Sequence, residues 1–195
     1  MKKQIVVASN NAHKLREMSE IFTDYEVLSQ TQAGFCGDVE ETGKTFAENA
    51  LIKARAVCKA LNRITLADDS GLCVDALGGA PGVYSARYAG GHGNDKENRA
   101  LLLKNMQGVT DRRAHFTCAL ALVTPDGREM VVEGKTFGKI LLEETGDGGF
   151  GYDSLFFSDD LQISFASASA QEKNSVSHRF RALQLLQEQC KDILG

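Results

Sequence analysis

The chain lacks a paired-cysteine framework. Its five cysteines, Cys36, Cys58, Cys73, Cys118 and Cys190, are odd in number and scattered, and no C-x-x-C occurs. That pattern belongs to reduced, mostly buried thiols of a cytoplasmic protein rather than to a disulfide scaffold. Zinc-type ligand spacing is also missing, because the histidines at 13, 92, 115 and 178 lie far apart in sequence. No G-x-S-x-G elbow is present. After Met1-Lys2-Lys3 the apolar run covers only Ile5 to Ala8, too short for a secretory leader. No stretch approaches the ~18 apolar residues of a membrane span. Positive charge is in slight deficit: 22 Lys and Arg against 26 Asp and Glu give a net −4. Broad electrostatic binding to nucleic acid or to an anionic membrane is therefore not expected.

What remains is an ordinary globular composition, 43% hydrophobic and 25% charged. At 195 residues the chain is read as a single domain over 1–195. It buries about 70% of its unfolded surface without needing a staple.

Gln4 to Ala8 is a short β-branched run ended by Ser9-Asn10-Asn11, which predicts a buried strand and a turn. Leu15, Met18, Ile21 and Phe22 recur at helical spacing over Lys14 to Phe22. Val27-Leu28 reads as a strand, and Gly34 to Lys44 as an acidic loop. Thr45 and Glu48 form a capping box opening a helix to Leu61, with Phe46, Ala50, Leu51, Ala54, Val57, Cys58 and Leu61 as its stripe. Ile64 to Ala67 predicts a strand that ends in Asp68-Asp69-Ser70-Gly71. A glycine-rich loop is expected from Gly71 to Gly93, then a helix from Asn94 to Met106. Ala114 to Val123 and Met130 to Phe137 read as a hairpin around Pro125-Asp126-Gly127. Leu155 to Phe157 is a short strand, and Ser177 to Leu194 a closing helix. Strands and helices mix, so the class is α/β or α+β with a mixed sheet.

Two motif matches fail on context. Gly146-Asp147-Gly148-Gly149-Phe150-Gly151 satisfies G-x-G-x-x-G, but an apolar strand pattern follows it where a dinucleotide site needs a helix. Gly43-Lys44-Thr45 resembles the end of a P-loop, but Asp38 stands where its first glycine belongs and would repel phosphate.

Four segments suggest chemistry. Ser9 to Lys14 sits at a strand-to-helix turn, where free amides, the helix end and Lys14 can attract an anion. Asp68 and Asp69, at a strand end, point to opposite sides, so one can face a ligand. With Glu40-Glu41 they offer the hard oxygen donors that Mg²⁺ shares with water and phosphate. Lys53 reads as a cation on the exposed side of its helix. Lys173, His178 and Arg179 fall near the start of the closing helix, where cations oppose the dipole and a bound anion relieves them. Phe150-Gly151-Tyr152-Asp153 offers aromatic faces and a carboxylate suited to a base. Together these describe a Mg²⁺-dependent enzyme acting on a nucleoside triphosphate.

The same residues, in order, resemble a known family. The set comprises Ser9-Asn10-Asn11-Ala12-His13-Lys14, Glu40-Glu41-Thr42-Gly43-Lys44-Thr45-Phe46 with Glu48 and Lys53, and Ala67-Asp68-Asp69-Ser70-Gly71-Leu72. It continues with Gly78-Gly79-Ala80-Pro81-Gly82, Tyr84 to Tyr88, Gly149 to Asp153, Glu172-Lys173-Asn174 and Ser177-His178-Arg179. It is similar to the inosine/xanthosine triphosphate pyrophosphatases, the noncanonical purine NTP pyrophosphatases also called the HAM1 family. The resemblance implies an α/β fold with a long central mixed β-sheet and two lobes around an active-site cleft, working as a cytoplasmic homodimer. It implies hydrolysis of dITP, ITP and XTP to monophosphate and pyrophosphate with Mg²⁺.

Carried over by motif, Ser9, Asn10, Asn11, Ala12, His13 and Lys14 would hold the triphosphate. Asp69 would bind metal and accept a proton, Glu40 or Glu41 would be the other metal ligand, and Lys53 would neutralise phosphate. Ser70, Phe150, Gly151, Tyr152, Asp153, Lys173, His178 and Arg179 would contact substrate. Asn10 stands where the family has glycine, Ser154 where it has proline, and Ser167 to Gln171 replace its Glu-Leu-Thr. A Maf-type pyrophosphatase of other triphosphates and a non-catalytic nucleotide sensor are the competing readings.

Overall fold

The computed structural model describes residues 2–91 and 93–194. Six strands form one sheet in the order β2-β1-β3-β4-β5-β6: β1 Lys3–Val7, β2 Tyr25–Ser29, β3 Thr65–Val74, β4 Arg113–Val123, β5 Glu129–Ile140 and β6 Phe156–Ser158. Among the described residues six helices accompany them: α1 Ala12–Ile21, α2 Phe46–Leu61, α3 Asp95–Asn105, α4 Ala170–Val176, α5 His178–Gln189 and α6 Lys191–Leu194. The sheet is mixed. β1 pairs parallel with β2 and with β3, whereas β5 pairs antiparallel with β6. None of the described helices is long and apolar enough to cross a membrane.

The chain divides into two compact units. The first holds residues up to Asp69, Cys118–Gly134 and the segment from Arg181. Its core joins Ile5 and Val7 of β1, Met18 and Phe22 of α1, Leu66 of β3, Leu120 and Leu122 of β4, and Leu183 and Leu186 of α5. Val6 is also fully buried, so β1 is covered on both faces, as its unbroken apolar run requires. Each such side chain contributes about 1.5–3 kcal/mol. The second unit holds Ser70–Thr117 and Lys135–Phe180. Its core is more aromatic, with Phe116, Tyr152, Phe156 and Phe165 packed among Leu72, Val74, Leu102, Ile140 and Leu155.

The α2 start is stapled as its sequence predicts. Glu48 N–H donates to Thr45 Oγ1 at 3.1 Å, and Thr45 N–H donates back to Glu48 Oε2 at 3.2 Å. Thr45→Ala should therefore lower stability by about 1 kcal/mol. In a chain of this length that is a fall in Tm of about 2–4 °C. An unchanged melting curve would show that the tertiary packing of α2 makes the cap redundant.

Three expectations need correction. The strand through Ile64 to Ala67 does not end at the aspartates but runs on to Val74 as β3. The stretch after it is not an open loop: three-residue and six-residue 3-10 turns occupy Asp75–Leu77 and Gly82–Arg87, and Cys73 bridges to Pro81. Ser177 to Leu194 is not one helix, because it breaks between Gln189 and Lys191, and α4 precedes it as a separate segment. The α4 start was missed although Ser169 and Glu172 form a second capping box.

Candidate active site

In the first unit the ends of parallel strands build a cavity. β1 pairs with β2 in the register Val7↔Ser29 and with β3 in the register Val7↔Leu66. Where β1 stops, Ala8 and Ser9 continue beside Gln30, and Ala8 N–H still reaches Leu66 O at 2.9 Å. Asp68 and Asp69 therefore lie mid-strand in β3 yet just past the end of their parallel neighbour. That is where open α/β sheets place ligands. A cavity of about 250 Å³ opens there, lined by Ala8, Ser9, Lys14, Gln30, Asp38, Val39, Glu41 and Lys53. It suits a polyphosphate tail better than a whole nucleotide, for which pockets run to ~300–1,000 Å³.

Adjacent strand residues face opposite sides, and the two aspartates have separate partners. Asp68 Oδ1 pairs with Lys14 Nζ, and the Cys118 thiol donates to Asp68 Oδ2 at 3.1 Å. Asp69 Oδ1 lies 3.4 Å from Lys53 Nζ, which also donates to Glu41 Oε1 at 2.6 Å. Asp69 is not among the lining residues; it meets the cavity wall through Lys53. Lys53 is not on a solvated face as its helix position suggested, for only 14% of its side chain is exposed.

Burial pushes the Asp69 carboxyl above its ordinary value, and Glu41 and Asp68 add to this, against the lowering effects of Lys53 and Asn49. For Lys53, burial works toward a lower value, but Asp69, Glu41 and Asp68 together raise it. The lysine is thus held charged while the aspartate is poised to take a proton.

Asp69 Oδ2 is buried, and the Asn49 side-chain amide is the neutral donor to this carboxyl. Asp69 and Glu41 converge on one ammonium and supply hard oxygen donors. Among the described residues no three His, Cys, Asp or Glu side chains form a closed metal cage. Two carboxylates with room for water and phosphate fit Mg²⁺, which seldom takes an all-protein cage. Glu41 lines the cavity, whereas Glu40 is exposed and does not. Glu41→Gln should therefore raise the Mg²⁺ concentration needed for half-maximal activity by about tenfold, and Glu40→Gln should leave it unchanged. A metal titration of both variants that ranked them in the opposite order would exchange their roles.

The Ser9 to Lys14 segment is engaged differently than expected. Asn11 Oδ1 accepts the amides of His13 at 3.0 Å and Lys14 at 3.3 Å, so the helix start is already capped. Ser9 Oγ accepts from Asn11 N–H at 3.1 Å. The positive group this segment gives the cavity is the Lys14 ammonium. Ala12 and His13 are exposed on the first turn of α1. Asn10 Oδ1 accepts from Thr31 N–H at 3.3 Å. Among the described non-glycine residues only Asn62 and Gln162 have left-handed backbone, so Asn10 sits in its turn without backbone strain.

The remaining expected contacts lie in the second unit: Ser70, Phe150 to Asp153, Lys173, His178 and Arg179. They do not act alike. Tyr152 is core, 4% exposed, with its hydroxyl donating to Ser85 O at 2.8 Å. Phe150 is 64% exposed. Asp153 is buried and accepts from Phe150 N–H at 2.8 Å and from Lys173 Nζ. Gly149, at φ +74°, packs so closely that an added Cβ would lie 2.3 Å from Asp153 Oδ2. Lys173 is not at the start of the closing helix. It sits in the last turn of α4, with its ammonium 4.3 Å from the Phe150 ring centroid. Lys173 therefore adds no charge to the start of α5, where only His178 and Arg179 remain. His178 opens α5 and stacks on Phe116 at 5.1 Å, and Arg179 beside it is buried.

Sequence reasoning missed Gln30 and Val39 altogether. Asp38 is visible in the sequence as part of an acidic loop and as the residue that breaks the P-loop pattern, not as a cavity residue. Gln30 has no motif of its own; only the parallel pairing of β2 with β1 brings it to the cavity.

Known proteins resemble this chain over nearly its whole length. The Ham1 family profile matches residues 5–189. The dITP/XTP pyrophosphatase of Clostridium perfringens (strain 13 / Type A) is 48% identical over 202 residues, covering 98% of this chain and 99% of that protein. The solved Ham1 protein of Staphylococcus aureus superimposes with a TM-score of 0.93 at 44% identity, over 98% of this chain and 100% of that one. A HAM1 protein from Coxiella burnetii gives 0.91 at 40% identity, over 97% and 99% of the two chains.

Proposed function

This chain belongs to the Ham1 family, and on that basis we propose that it hydrolyses the triphosphates of deaminated purines, dITP, ITP and XTP, to monophosphate and pyrophosphate. The observation that carries the reading is the Lys53 ammonium held between Glu41 and Asp69 on the wall of a polar cavity.

The chemistry follows from those groups. Lys14 and Lys53 would draw in the triphosphate and offset its charge. Asp69 and Glu41 would hold Mg²⁺, which when bound screens the phosphates and polarises them. Asp69 would take a proton from the attacking water, a role its raised pKa favours. The water oxygen joins the α-phosphorus, the proton passes to Asp69, and the bond from the α-phosphorus to the bridging oxygen breaks. A sensor would have no need of a proton acceptor, so the presence of Asp69 with Glu41 and Lys53 argues against that alternative.

Phe150 and its neighbours would meet the base. An exposed aromatic stacks on any purine, so selection for the 6-oxo group must come from hydrogen-bond donors near it. We assign that role to the Lys173, His178 and Arg179 set. The chain would act in the cytoplasm as a homodimer.

Pyrophosphate release from dITP, XTP, dATP, dGTP and dTTP with Mg²⁺ tests the reading. The deaminated purines should be turned over with kcat/KM at least about 10²-fold above the others. Preference for dTTP or for a modified pyrimidine would favour the Maf-type alternative. No release from any would favour the sensor.

A further inference from the structure

We infer that Arg99 and Asp95 of α3 are positioning residues that clamp the Phe150 loop in the shape needed to select the base. This rests on the reading of Phe150 to Asp153 given above. The observation is a side-chain clamp on one backbone unit. Gly151 N–H donates to Asp95 Oδ2 at 2.8 Å, and Gly151 O accepts from Arg99 Nη1 at 2.9 Å. Both polar groups of this residue, in left-handed backbone at φ +59°, are thus held from a helix over fifty positions away in sequence. The preceding amide, Phe150 N–H, is held by Asp153.

Arg99 is itself oriented. Its Nε donates to Glu144 Oε2 at 2.9 Å, and the same oxygen accepts from Ser154 Oγ at 2.9 Å. The chain Ser154–Glu144–Arg99–Gly151 therefore ties both ends of the turn to α3. Burial works to raise the Glu144 carboxyl, yet Arg99 and Ser154 together hold it below its ordinary value. Arg99 is 19% exposed at its side chain, which limits solvent competition for the fork. Without regular secondary structure, the Phe150–Gly151 turn owes its geometry to these side chains. Lys173 lies over the Phe150 ring, and the ring, 64% exposed, keeps area for a partner. Loosening Gly151 would let that platform wander.

The sequence offers a clean reporter, because it contains no tryptophan. Phe150→Trp introduces a single indole on the loop, to be read by anisotropy and acrylamide quenching. In the Arg99→Ala background the indole should tumble faster and quench at least about twofold more readily. With Phe150 restored, Arg99→Ala should raise KM for dITP about tenfold with kcat within about threefold, and shrink the dITP over dATP preference. Arg99→Lys keeps the charge but not the fork, so it should resemble the alanine variant in KM while folding normally. Wild-type KM and preference in both variants, with unchanged quenching, would overturn the inference. If the wild-type chain hydrolysed no deaminated purine triphosphate, the base reading would fail, and the quenching comparison would still test the clamp.

Discussion

Asp69→Asn is expected to lower kcat for dITP by about 10³-fold while the protein remains folded. The change removes the proton acceptor and one hard metal donor without altering side-chain volume. It also separates catalysis from stability. The folded carboxyl binds its proton more tightly than the unfolded chain does, because burial raises its pKa. Stability contributed by this site is therefore highest at low pH and declines as pH rises through the raised value. A neutral asparagine escapes that penalty, and Lys53 keeps Glu41 as partner. The variant's Tm at neutral pH should equal or exceed that of the parent. Activity of the parent moves the other way, falling as pH drops through the raised pKa because the base becomes protonated. A variant with near-normal kcat, or a parent with no acid limb, would remove Asp69 from the mechanism.

Lys53→Ala should damage both activity and fold. The ammonium holds Glu41 and Asp69 together, and its loss leaves two carboxylates facing each other in a largely desolvated site. The stability loss should be about 2–3 kcal/mol, at the modest end for a buried pair because 26% of the Glu41 side chain is exposed. That corresponds to a Tm lower by about 5–10 °C. Loss of phosphate neutralisation should cost about 10²–10³-fold in kcat/KM. The acid limb should also shift to higher pH, because Lys53 is the larger of the two influences, with Asn49, that hold Asp69 down. A variant with lowered Tm but an unmoved limb would show that Lys53 supports the fold and does not tune the base.

Much of this was readable from residue order. β-Branched runs, the Thr45–Glu48 box and the apolar stripe of α2 each state a local preference that the tertiary structure keeps. Asp69, Lys53 and Lys14 were legible because their charge types suit phosphate chemistry. What stayed hidden was pairing. Nothing local says that β3 continues past Asp69 while β1 stops at Val7, yet that mismatch sets the two buried aspartates behind the lysines of the cavity wall. Nor does the one-dimensional pattern show that Lys53 is buried, because the loop bearing Glu41 must fold back over α2 to cover it. Phe150 and Tyr152 looked equivalent two positions apart, but one is exposed and the other hydrogen-bonds inside the aromatic core. Lys173 looked like a helix-start cation until α4 separated it from α5.

The most direct test of the account is a crystal structure with Mg²⁺ and a dITP analogue whose α,β-bridge cannot be cleaved. The phosphates should lie against Lys14 and Lys53, with the metal on Asp69 and Glu41. Phosphates seated away from those lysines, or a metal bound without either carboxylate, would contradict it.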